Sequence, residues 1–312
     1  MRVAYFVQSH RGPRQVERLL GALRRGSPDA LLVVGHCPAG EPLDPAVLDA
    51  LGVLHFTHRR RCLRGYWSLL EPYFDAVELL SRQPHDYEWL VYLSGQDYPI
   101  RPPAELEAAL AASDRDGYLT WRSVDARSPD GRRRQGRVRY LYRYFELPGW
   151  EAVLRLVRPL NRLQNAFNVH LTYGPRLGIR ARFPGAASGH GPFVGSQWTI
   201  LRRRCAERLL ATARSRGEVV VHFERTVCPD EAFAQTVLIN DGGFRLSNDN
   251  LRFVDFQGSS DGRPRTLTRA DCPALVAGHH YFARKFDLDV DPTALDWLDA
   301  HLAAADLRVH SP

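Results

Sequence analysis

At 312 residues, with 44% hydrophobic and 10% aromatic content, the chain can bury a sizeable core, which excludes a disordered or fibrous protein. The net charge is +7, and Lys285 is the only lysine among 42 basic residues, so the excess is carried by arginine and favours an anionic partner. No zinc-finger, RNA-recognition or basic-heptad pattern accompanies it, so a nucleotide diphosphate is expected rather than nucleic acid. Residues 3–7 read as a buried first strand, followed by a polar turn and a helix opening near Pro13, with Val16, Leu19, Leu20 and Leu23 at helical spacing. Residues 30–34 and 53–56 read as further strands. Residues 66–80 read as a helix, and 89–93 as a strand running into Ser94, Gly95, Gln96 and Asp97. A short helix over 104–112 and a strand over 117–121 come next. Strand alternating with helix predicts a mixed, mainly parallel sheet flanked by helices in a single elaborated α/β domain.

From 125 to 190 the pattern loosens into a segment rich in Arg, Tyr, Gly and Pro, expected to be an insertion with some helix over 150–165. It separates a nucleotide-binding half (1–124) from a catalytic half (191–312). In the latter, strand signal returns over 193–201, a helix extends to about 214, another begins at Pro229, a strand spans 251–256, and a last helix covers 293–303. No apolar run is long enough to span a membrane, and the N-terminus is too short and polar for a signal peptide. Five scattered cysteines (Cys37, Cys62, Cys205, Cys228 and Cys272) show no CxxC spacing, so neither disulfides nor zinc are expected and a cytoplasmic location is.

Ligands of open α/β sheets bind beyond the carboxyl ends of strands. Three polar turns sit there: Ser9 with His10, Gly35 with His36, and the turn from Ser94 to Pro99. In the last, Gly95 would let a backbone approach closely and Asp97 would orient hydroxyls. Asp230 and Glu231 follow Pro229, which reads either as an ordinary helix start or as the position of a general base. Arg284 and Lys285, with Arg263 and Arg265 upstream, could meet the charge of a departing diphosphate. The acidic triplets, Asp114 with Asp116 and Asp287 with Asp289 and Asp291, follow no convincing central strand, so no metal is expected.

These residues carry a resemblance. Tyr92 to Ile100 (YLSGQDYPI), Gly195 to Trp198 (GSQW), Cys228 to Glu231 (CPDE), Leu251 to Phe256 (LRFVDF) and Phe282 to Asp287 (FARKFD) stand in the order found in the core-2/I-branching N-acetylglucosaminyltransferases, relatives of the peptide O-xylosyltransferases. The opening strand with Ser9 and His10, and Gly65 to Leu69 (GYWSL), are similar too. The resemblance implies a GT-A-type fold, a UDP-sugar donor, inversion and no metal or other cofactor. It also implies that Glu231 is the catalytic base and that Lys285 contacts the diphosphate, with an upstream arginine that is either Arg263 or Arg265. On this reading Val7, Ser9, His10 and Arg284 lie on the UDP side. Gly95, Gln96, Asp97, Trp198 and Asp230 lie on the sugar and acceptor side. The donor is expected to be UDP-GlcNAc or else UDP-xylose, and the acceptor a glycan, peptide or small molecule. A non-catalytic nucleotide-sugar-binding protein on the same fold is the alternative.

Overall fold

A computed structural model describes residues 1–125, 132–257 and 262–309, with 132–134 and 306–309 described by their backbone alone. Four parallel strands form its centre: β1 (Val3–Ser9), β2 (Leu31–His36), β3 (Val53–Thr57) and β4 (Trp89–Ser94). They run in the order β3, β2, β1, β4, and the strand after β4 is the antiparallel Ile200–Arg202. Gly117–Tyr118 and Leu246–Ser247 complete seven strands, so one reversed strand makes the sheet mixed and mainly parallel.

Both faces are covered, and β1 shows why. Successive side chains of a strand point to opposite faces. Val3, Tyr5 and Val7 enter one core with Leu19 and Leu20, whereas Ala4 and Phe6 enter the other with Phe74, Val77 and Phe233. A strand buried on both sides must be apolar throughout, which is the pattern of VAYFV. Helix α1 (Pro13–Gly26) starts after Gly12, whose φ of +63° lets the chain turn, with Pro13 in the first turn.

Three smaller sheets elaborate this frame. Asp97–Pro99, Phe282–Arg284 and Arg252–Val254 form one, Phe193–Gly195 pairs with Trp121–Ser123, and the insertion folds as an antiparallel sheet of Tyr142–Glu146, Arg176–Arg180 and Phe167–His170. The insertion thus holds regular structure where loops were expected, including a helix over Arg132–Tyr140 whose arginine-rich composition hides its period. Residues 126–131 and the side chains of Arg132, Arg133 and Arg134 lie outside the described residues.

Other expectations need correcting in detail. Residues 66–80 are a 3-10 turn, Trp67–Leu69, followed by the helix Glu71–Ser81, because Pro72 fits only a first turn. Residues 193–201 are two strands of different sheets, and 117–121 likewise divides. Pro229 opens a 3-10 turn, Pro229–Glu231, and the α-helix begins afterwards at Phe233–Asp241. No helix among the described residues is long and apolar enough to cross a membrane.

Candidate active site

The small sheet of Asp97–Pro99, Phe282–Arg284 and Arg252–Val254 joins two distant motifs, with Arg284 in register opposite Asp97 and Val254. Asp97 is fully buried. One carboxylate oxygen accepts the Ser94 amide at 2.5 Å, and the other lies 3.3 Å from Arg284 Nε and 3.8 Å from Arg252 Nε. Both guanidiniums lie over the Trp198 ring, Arg284 at 4.7 Å and Arg252 at 5.7 Å, and Tyr92 packs on the same indole at 4.8 Å. Burial lowers the Arg252 pKa to about 10 even though Asp97 opposes the shift, and burial also lowers that of Arg284. Two cations share one anion, so this end of the sheet carries surplus positive charge. Asp97 is fully buried, so its carboxylate faces the Ser94 amide and the two arginines rather than a sugar hydroxyl as expected.

Lys285 comes directly after and is half-buried; its ammonium has no hydrogen-bond or ion-pair partner among the described residues. Arg265 is different. Its fork is filled by Asp255 at 2.6 Å and by Asp271 at 2.6 and 2.9 Å, which corrects its expected role. Two carboxylates already hold this guanidinium, so it braces its loop. Arg263 lies exposed in that loop.

At the end of β1 the expected nucleotide contacts separate. Val7 is buried in a core, with β2 and β4 pairing on either side, so it has nothing to offer a ligand. The Ser9 hydroxyl is buried 2.7 Å from His36 Nδ1, whose Nε2 lies 2.9 Å from the Glu41 carbonyl. His10 is exposed. Gly95 is required by its neighbours: a Cβ there would lie 2.8 Å from a Val16 methyl and 3.0 Å from Ser9 Cβ. The close approach is thus to the protein's own first helix. Gln96 is half-buried and its side-chain amide reaches the Phe286 carbonyl and Asp287. It ties the turn to the segment after Lys285.

The second half of the site is built on Cys228, whose φ of +55° turns the chain sharply into Pro229–Glu231. Such left-handed non-glycine residues are costly and cluster at functional sites. Glu231 is partly exposed, and Arg139 Nη1 donates to its Oε2 at 2.6 Å. Oε1 has no partner among the described residues. Asp230 is buried with one oxygen unpartnered. Burial first, and the neighbouring Glu231 second, push its pKa up to about 7. Arg64 lies within electrostatic reach of both Asp230 and Arg284, so it links the two halves. It also sits over Tyr173 at 5.7 Å. Behind it Arg176 is buried, stacked 3.6 Å from the Tyr66 ring, with one nitrogen on the Gly65 carbonyl and no carboxylate partner among the described residues.

Four arginines therefore shape the site without having been singled out: Arg64, Arg139, Arg176 and Arg252. Arg64 precedes, and Arg252 lies within, a motif that the sequence does display. Arg139 is masked by an arginine-rich stretch, and nothing local marks Arg176. The acidic triplets are spent elsewhere. Asp116 is buried against Arg204 and the Arg245 amide, Asp287 pairs with Arg11, and Asp291 caps Thr293. A depression of about 490 Å³ near Glu17, Arg18 and Asp299 contains none of the site residues.

Residues 188–281, which include Trp198, Asp230, Glu231 and Arg252, match the family model described as Core-2/I-Branching enzyme. Xylosyltransferase 2 of Rattus norvegicus is 27% identical over 259 residues, covering 76% of this chain and 26% of that protein. Xylosyltransferase 1 of Homo sapiens is 27% identical over 265 residues, covering 78% and 24%. The chain spans about a quarter of the length of the curated relatives it matches. Among solved structures, apo mouse xyloside xylosyltransferase 1 aligns over 90% of this chain and 96% of its own, at 11% identity and a TM-score of 0.38, a likeness too loose to bear on function. On its sequence matches the chain carries a segment similar to the core-2/I-branching enzymes and is similar, over about three quarters of its length, to the xylosyltransferases.

Proposed function

We propose that the chain is an inverting glycosyltransferase that moves a sugar from a UDP-sugar to an acceptor hydroxyl without a metal ion. The observation that carries this reading is the pairing of a partly exposed carboxylate, Glu231, with a separate group of uncompensated cations at the end of β4, within a family match that covers both Glu231 and Arg252. Glu231 takes the acceptor proton through Oε1, since Arg139 holds Oε2. The acceptor oxygen bonds to the anomeric carbon as that carbon's bond to the β-phosphate oxygen breaks, and the electron pair leaves with UDP. Lys285 and the outer nitrogens of Arg284 receive that charge, which is the work a metal does in other enzymes. Positioned proton acceptance contributes roughly 10²–10⁴-fold.

The xylosyltransferase relatives support UDP-xylose as donor on an equal footing with UDP-GlcNAc. Titration of UDP, UDP-GlcNAc and UDP-xylose in EDTA tests the proposal. Tight binding of one donor, with its slow hydrolysis to UDP, supports it. Binding or hydrolysis that vanishes in EDTA and returns with Mn²⁺ contradicts the metal-free part. Donor binding without any turnover, in wild type as in Glu231→Gln, would leave a nucleotide-sugar-binding protein.

A further inference from the structure

The insertion carries a surface unlike the rest of the molecule. Trp150 precedes the helix Glu151–Val157, which runs into the 3-10 segment Arg158–Arg162. Leu154 is the only buried residue of that helix. Trp150, Val153, Leu156, Leu160 and Leu163 are all exposed, Leu156 and Leu163 at 81%. Steps of three, three, four and three residues place them along one side of a helix. Arg155, Arg158 and Arg162 interleave with them along the same segment, exposed and without ion pairs among the described residues. The acids of residues 146–163 are Glu146 and Glu151. Phe145 and Ile179, on adjoining strands of the same small sheet, are exposed as well, and Arg180 is exposed beside them.

Soluble surfaces seldom leave so many large apolar side chains together in water. An apolar face rimmed by arginine and headed by an exposed Trp is the composition of a helix that lies in a membrane interface. We propose that residues 150–163 dock on an anionic phospholipid surface. Trp150, Leu156, Leu160 and Leu163 would enter the acyl boundary, with Arg155, Arg158 and Arg162 against head-group phosphates. A second copy of the chain fits less well, because a two-fold contact through this face would set its arginine rims against each other. The proposal is independent of the sugar-transfer reading.

The test is co-sedimentation of the full chain with vesicles of phosphatidylcholine alone and of phosphatidylcholine with phosphatidylglycerol. The expected result is binding to the anionic vesicles that weakens with salt. Arg155→Gln, Arg158→Gln and Arg162→Gln together should lower it about a hundredfold, at about fivefold per charge. Leu156→Glu with Leu163→Glu should abolish it. Both sets lie on the surface, so unchanged melting temperatures and UDP affinity show that fold and donor site persist. Absence of wild-type binding to either vesicle, or undiminished binding of the glutamate variant, overturns the proposal. So does lipid-free self-association that the glutamate variant removes, which would assign the face to a second copy.

Discussion

Replacing Asp97 by Asn isolates the charge of the buried cluster, because the amide oxygen can still accept the Ser94 amide while the negative charge is lost. Arg252, whose side chain is 1% exposed, would then keep its charge with no counter-ion, and Arg284 would lose its inner partner. Breaking a buried ion pair from one side costs about 3–5 kcal/mol, since the other charge is left uncompensated. That is a large part of the roughly 5–15 kcal/mol that a domain has to lose. Removing the arginine as well should return part of it. Asp97→Asn with Arg252→Met should be less destabilised than the sum of the single variants by about 1–3 kcal/mol. The assay is urea unfolding of the four proteins, tracked by circular dichroism. A loss under about 1 kcal/mol for Asp97→Asn, or strict additivity, would refute the view that this carboxylate exists to hold two arginines.

The same geometry sets three further outcomes. Lys285→Ala should weaken UDP binding by about 2 kcal/mol, the value of a charged hydrogen bond, with UMP much less affected because it lacks the β-phosphate; calorimetry reads both. Arg139→Ala should lower kcat by about tenfold or more while donor affinity stays near wild type, and Arg139→Lys should recover part, as steady-state kinetics will show. His58 and His222 are both buried, and burial lowers the pKa of each to about 4. The unfolded chain binds these protons near pH 6.5 and the folded chain only near pH 4. Their contribution is therefore complete above about pH 6.5 and drains away toward pH 4, at up to about 3 kcal/mol each. Asp230 runs the opposite way, because its raised pKa favours the folded state at low pH. Asp230→Asn should thus steepen the loss of stability on acidification in denaturant melts between pH 7 and 4.

How much of the molecule was legible depends on where each signal resides. The strand–helix alternation of the first hundred residues could be read because β1, β2 and β4 are buried on both faces and so are largely apolar up to their polar carboxyl ends. The motifs YLSGQDYPI and FARKFD, far apart in sequence, pair in one small sheet, and Lys285 stands there as a cation without a partner among the described residues. The finer roles within them did not emerge from sequence. Asp97, Ser9, Gly95 and Arg265 look like ligand contacts and serve internal needs, because a polar residue at a strand end satisfies a buried neighbour and a ligand with the same atoms. Arg139 was the reverse case. Its helix is so polar that no period shows, and its partner Glu231 lies 92 positions away. The amphipathic side of 150–163 was visible only as some helix, since exposure cannot be read from spacing.

The measurement that tests the central claim most directly is UDP release from the bound donor by wild type and Glu231→Gln, in EDTA, with donor affinity measured on the same samples. Glu231→Gln should bind the donor about as well as wild type and release UDP at least about 10²-fold more slowly. Equal release by the two proteins would contradict the assignment of Glu231 as the base.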